Sequence, residues 1–197
     1  SNIIIDGCEF INNTSVNDAA GVILSYNSNL SVNNSKFIQN SAKDGGVIVA
    51  VNGSADDDFN IIKEPSKITI YNSDFMENTA KYMGGVLYIE YADLIVNNTS
   101  FRKNCALNGA VIYTDHSRVI LNNTNLTQNN AYNISTAYFY NSNITQNNCN
   151  YDENTALYAT DMYMPYNIEF KDNNNTYTSS NSKVFDLIIK KSWDNHI

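Results

Sequence analysis

The sequence predicts an all-β chain folded as a parallel β-helix, a solenoid of about seven turns with about 26 residues and three short strands per turn. Three observations predict it. A short sentence of residues, written as "NSKFIQN", "NSDFMEN" and "NTSFRKN", returns at a near-constant interval. Apolar residues in alternating runs stand at the same offsets from each copy. Nowhere does a run of ten or more residues carry the 3.6-residue period of a helix.

The aromatic residue of each copy anchors one turn. The anchors are Phe10, Phe37, Phe75, Phe101, Leu126, Tyr151 and Tyr177, at spacings of 27, 38, 26, 25, 25 and 26. A unit of this size buries its apolar side only against its neighbours, so the repeats stack. The spacing of 38 places an insertion over residues 52–65, "NGSADDDFNIIKEP", as a loop protruding from the second turn.

Ahead of each anchor lies a first strand with one inward face: Ile3 and Ile5, Leu30 and Val32, Ile68 and Ile70, Leu94 and Val96, Val119 and Leu121, Ile144 and Gln146, and last Ile168 and Phe170. The anchor itself belongs to a second strand, sharing its face with a small residue two before it: Cys8, Ser35, Ser73, Thr99, Thr124, Cys149 and Asn175. A third apolar run follows about ten residues later, as in "GVIVA", "GVLYI", "AVIYT" and "TAYFY".

Polar corners join the strands. One Asn column, three residues before the anchor, reads Asn34, Asn72, Asn98, Asn123, Asn148 and Asn174; another, three after it, reads Asn13, Asn40, Asn78, Asn104, Asn129 and Asn154. Turns about 4.8 Å apart let each amide donate to one neighbour and accept from the other. Charges alternate in the same register: Glu9, Lys36 and Asp74; Lys67, Asp93 and Arg118; Glu77 beside Lys103. On an exposed face such pairs are worth about 0–1 kcal/mol each, so they argue for register more than for stability.

Composition narrows the function. With 43% apolar and 12% aromatic residues the chain can bury a continuous core, and a net charge of −8 without any Lys/Arg run lacks the footprint of a nucleic-acid binder. No apolar run approaches the roughly 20 residues that span a bilayer. The three cysteines, Cys8, Cys105 and Cys149, have no metal-ligand spacing and read as free, buried thiols. Twelve Asn-x-Ser/Thr sequons, among them Asn29, Asn52, Asn125 and Asn143, permit N-glycosylation of a secreted protein.

The segments "FINN", "FIQN", "FMEN" and "FRKN" match the FxxN motif, and "GGVI", "GGVL" and "GAVI" approach the GGA[ILV] motif, of polymorphic outer-membrane-protein (Pmp) repeats. The chain thereby resembles those repeats and the adhesin-like proteins of methanogenic archaea that carry them. Valine stands at the third position of "GGVI" and "GGVL", and the glycine pair is gone after residue 110. The resemblance implies a right-handed parallel β-helix of the pectin-lyase-like superfamily, displayed at the cell surface and associated with adhesion. Residues 1–197 are then expected to be one β-helix domain from a longer surface protein, extracellular and anchored by parts outside this chain.

The superfamily also carries polysaccharide lyases and glycoside hydrolases, so an enzymatic reading must be tested on residues. Glu90, Asp93, Asp115, His116 and Arg118 fall on adjacent turns, and register is expected to set Glu90 over His116 and Asp93 beside Arg118 as cross-turn ion pairs. The acids Asp56, Asp57 and Asp58 lie in the inserted loop without the alternating spacing of a calcium loop. No residue is assigned a catalytic or metal-binding role, and no cofactor is expected. The candidate ligand-binding residues are Tyr88, Tyr113, Tyr138 and Tyr163, which coincide on the third strand with parity opposite to Leu87, Ile112, Ala137 and Met162. With those aliphatics inside, the tyrosines form an exposed strip, a platform for a surface glycan or protein of another cell. A polysaccharide-cleaving enzyme and a purely structural spacer are the competing readings.

Overall fold

The computed structural model describes residues 1–53, 65–166 and 169–178, together with the strand backbone of 181–182 and 187–190. It is a parallel β-solenoid. Three sheets hold seven strands each and a fourth holds six, every neighbour in a sheet coming from the next turn of the chain. That amounts to about six complete turns. In the first turn the fourth sheet is represented only by an isolated bridge between Thr14 and Ser41.

Each turn runs in the same order. The first sheet is built from strands such as Ser66–Tyr71, Ala92–Asn97 and Arg118–Asn122, and the second from the anchor strands Asp74–Met76, Ser100–Arg102 and Asn125–Thr127. A sheet of very short strands follows, including Ser41–Ala42, Thr79–Ala80 and Thr155–Ala156. The turn ends on what we call the tyrosine sheet: Ile23–Tyr26, Ile48–Val51, Leu87–Glu90, Ile112–Asp115, Ala137–Tyr140, Met162–Pro165 and Leu187–Lys190. Three of these four were expected. The short sheet was not, because two-residue strands carry no alternation; its inward column of Ala80, Ala106, Ala131 and Ala156 is the trace it leaves in the sequence.

Register follows the spacing. Glu9 pairs with Lys36 and Lys36 with Asp74, while Asp93 stands between Lys67 and Arg118. In the last turn Phe170 stands opposite Ile144 and Asp172 opposite Gln146, two residues away from the expected pair of Ile168 and Phe170. Ile168 lies outside the described residues, as do His196 and the inserted loop between Gly53 and Pro65 with its acids Asp56, Asp57 and Asp58.

The interior is filled column by column. Phe10, Phe37, Phe75 and Phe101 stack with centroids 5.0, 4.7 and 5.0 Å apart, and Leu126 and Tyr151 continue the column, buried. Tyr151 puts a hydroxyl where the five turns before it have none. It donates to Gln146 Oε1 at 2.6 Å, and Gln146 is the buried polar residue of the Val32, Ile70, Val96 and Leu121 column, so the two departures satisfy each other. On the tyrosine sheet Ala137 and Phe139 stand where the preceding turn has Ile112 and Thr114, so volume lost at one inward position is regained two residues on.

The two Asn columns behave differently. The later one is buried from Asn40 onward: Asn78 Nδ2 donates to Asn104 Oδ1 at 3.1 Å and to Phe37 O at 2.9 Å, while its backbone N–H donates to the same Asn104 Oδ1 at 2.9 Å. Asn40, Asn104 and Asn129 repeat the arrangement. The earlier column is exposed, and every member from Asn34 to Asn174 has φ between 47 and 53°. Its amides also link turns, as in Asn123 to Asn98 at 3.1 Å, but its main service is a left-handed corner that few other residues adopt cheaply. Gly45, Gly84 and Gly109 meet the same demand ahead of the tyrosine sheet, with φ of 56, 63 and 60°. Where the glycines end, Ser135 and Ala159 take up left-handed backbone at φ 48 and 47°.

The thiols are free, as expected, but Cys149 alone is buried; Cys8 and Cys105 are half-exposed.

Candidate binding face

The tyrosine sheet positions the strip. Tyr88 pairs with Tyr113, Tyr113 with Tyr138, and Tyr138 with Tyr163, while Leu87, Ile112, Ala137 and Met162 point into the core. The parity is as expected. Exposure is less than expected: all four tyrosines are half-buried, because successive rings cover one another and the preceding corner lies against the same face. A Cβ on Gly45 would sit 2.4 Å from Val49 Cγ2, which shows how closely that corner approaches.

Stacking changes along the strip. Tyr88 and Tyr113 lie 5.1 Å apart and nearly parallel, at 12°. Their facing surfaces are occupied by each other, so here the strip offers ring edges and hydroxyls. From Tyr113 to Tyr138 the rings tilt by 35°, and Tyr138 and Tyr163 meet edge to face at 67°. Burial pushes the Tyr138 hydroxyl up to about 12 and raises those of Tyr88 and Tyr113 further, the Glu90 carboxylate adding to the effect at Tyr88.

A second aromatic column borders the first. Tyr91 stacks on His116 at 4.8 Å, His116 meets Tyr140 edge-on at 6.5 Å, and Tyr140 meets Tyr166 at 5.6 Å. Tyr91, His116, Asn141 and Tyr166 all have positive φ, so this column is the corner that closes each turn. The anchor-based alignment missed it because three residue types share one backbone role. Upward the face continues through Val49 to exposed Leu24, and beside them through Val51 to exposed Tyr26, whose hydroxyl sits so near Gly53 that a Cβ there would be 2.0 Å away.

The carboxylates of the region are engaged in part. Glu90 is opposite Asp115, not over His116 as the sequence suggested, because the third turn carries one extra residue ahead of this strand; His116 instead lies in the corner under Tyr91. Glu90 accepts a short hydrogen bond from the Tyr88 hydroxyl, and Asp115 Oδ1 lies 2.5 Å from His116 Nδ1. Asp93 and Arg118 form the expected ion pair at 2.6 Å, and Glu9 and Lys36 another at 3.4 Å. Glu77, aligned with Lys103, instead accepts from Gln39 Nε2 at 2.8 Å. Among the described residues no group of three or more His, Cys, Asp or Glu side chains is placed to hold a metal ion, and no helix is long and apolar enough to cross a membrane.

Comparisons with protein-family models, with curated proteins and with solved structures find no match to this chain.

The buried hydroxyls make a prediction. A tyrosine whose folded pKa lies above its unfolded value near 10 keeps its proton when the unfolded chain has lost it. Stability from Tyr88, Tyr113, Tyr138 and Tyr151 is therefore complete below pH 10 and falls as pH rises beyond it. Urea unfolding followed at a series of pH values is expected to show a level midpoint up to about pH 10 and a steep decline above it. A midpoint unchanged to pH 12 contradicts the burial of these hydroxyls.

Proposed function

We propose that this chain is a non-enzymatic, adhesin-like module of a surface protein, an extended β-solenoid that presents one side to a glycan or protein on another surface. The observation that carries the reading is the outward column of Tyr88, Tyr113, Tyr138 and Tyr163, running across four consecutive turns beside the column of Tyr91, His116 and Tyr166. Aromatic side chains give large contact area with a polar tip, and a contiguous aromatic face is the kind of surface that interaction sites present. The likeness to Pmp-type repeats supports the same reading, since the FxxN asparagines from Asn40 onward form the buried ladder. On this proposal the protein acts at the cell surface or outside the cell. Exposed Asn29 and Asn125 are then better glycan acceptors than Asn52, which is buried and bonded to Ser66.

The test is binding of the chain to arrays of glycans and of surface proteins, beside a Tyr113→Ala/Tyr138→Ala variant whose fold is checked by circular dichroism. Saturable binding that the variant loses is the expected result. Binding that the variant keeps moves the adhesive surface elsewhere on the solenoid, and no binding by either protein makes this segment a spacer.

A further inference from the structure

We propose that the outward face of the tyrosine sheet docks a Lys- or Arg-bearing polypeptide segment presented by another protein. This rests on the reading of that face as a binding surface and gives its partner a chemistry.

Charge columns elsewhere in the solenoid alternate in sign, as in Glu9, Lys36 and Asp74 or Lys67, Asp93 and Arg118. The tyrosine sheet breaks the rule. Glu90 stands directly beside Asp115, one strand spacing of about 4.8 Å away, and like charges so placed repel. What the chain supplies in compensation is the neutral Tyr88 hydroxyl for Glu90 and the His116 imidazole for Asp115. Among the described residues no Lys or Arg nitrogen lies within 4.0 Å of either carboxylate, and Arg118, close by in sequence, is held by Asp93. The outward positions of the sheet from Leu24 to Pro165 include no basic residue; the first stands one turn further on, where Lys190 is opposite Pro165, three turns from Asp115.

Complementarity then selects the occupant. A second copy of the chain brings the same two carboxylates to the contact and a further net charge of −8. A neutral sugar leaves the carboxylates uncompensated, and between Tyr88 and Tyr113 the ring faces it would stack on are already paired. Lys and Arg side chains match both parts of the surface. Their aliphatic stems lie along tyrosine edges and Leu24 while the cationic heads reach Glu90 and Asp115, and a guanidinium can bridge the two carboxylates. Lower on the face, Tyr138, Tyr163 and Tyr166 no longer stack in parallel, which suits a further cation placed over a ring.

The test uses a fluorescent peptide of alternating Arg and Thr, and the same peptide with Gln for Arg, titrated against three proteins by anisotropy. These are the wild type, a Glu90→Gln/Asp115→Asn variant, and an Asp74→Asn/Glu153→Gln variant that loses the same formal charge elsewhere. Circular dichroism confirms that all three are folded. The expected result is saturable binding of the Arg peptide to the wild type and the control, weakened about tenfold in the Glu90/Asp115 variant, with no binding of the Gln peptide. Equal weakening in both variants reduces the interaction to net charge and overturns the proposal. Saturable binding on the glycan array without peptide binding overturns it too, while leaving the adhesive reading intact. Absence of both removes both.

Discussion

Asn104→Ala is expected to destabilise the solenoid by about 3–6 kcal/mol, measured as the free energy of unfolding in urea. Asn104 Oδ1 accepts the Asn78 backbone N–H at 2.9 Å and the Asn78 amide at 3.1 Å, and its own Nδ2 donates to Phe75 O at 3.0 Å. Truncation leaves three polar groups short of a partner in a place closed to water, each costing about 1–3 kcal/mol. Asn98→Ala is the control, since its side chain is exposed and receives one amide, from Asn123 at 3.1 Å. That change is expected to cost about 1–2 kcal/mol, for a left-handed corner at φ 49° that alanine adopts less willingly. Equal costs at the two positions contradict the inner ladder as the staple of the fold.

Phe75→Ala is expected to cost about 4–6 kcal/mol. The ring is fully buried between Phe37 and Phe101, at 4.7 and 5.0 Å, so truncation opens a cavity and interrupts two stacks. Each turn touches only its neighbours, so the loss should be localised, with amide hydrogen exchange accelerating first in the two turns beside the cavity. Phe10→Ala removes a ring that is partly exposed and has one neighbour, and about 1–2 kcal/mol is expected. A Phe75 cost as small as that of Phe10 contradicts the stacked interior column.

Much of this architecture is written in spacing. Once the anchors from Phe37 to Leu126 are aligned, the offsets carry Lys36 to Asp74 and Asp93 to Arg118, and with one extra residue allowed before the glycine pair of the third turn they carry Tyr88 to Tyr113; the structure pairs each of them so. The misses have physical reasons. Two-residue strands such as Thr79–Ala80 are too short to alternate, and a third amide ladder of Asn97, Asn122, Asn147 and Asn173 was hidden because Tyr71 interrupts its column. His116 was placed over Glu90 because both stand the same number of residues after their anchors, whereas the extra residue of the third turn shifts its last strand by one and sets Glu90 opposite Asp115.

By itself the sequence determined the repeat and, for the three sheets it revealed, which side of each strand faces the core and the register of most strands, because a near-constant period in a parallel stack sets them; the register went astray where the period does, at Glu90 and in the last turn. The tertiary structure alone decided what the outward side offers. Whether Tyr88 and Tyr113 turn faces or edges to solvent, how far the preceding corner covers them, and that Arg118 goes to Asp93 and leaves Glu90 and Asp115 to Tyr88 and His116 depend on side-chain torsions and contacts between turns. Those are properties of neighbours in space, and spacing along the chain does not encode them.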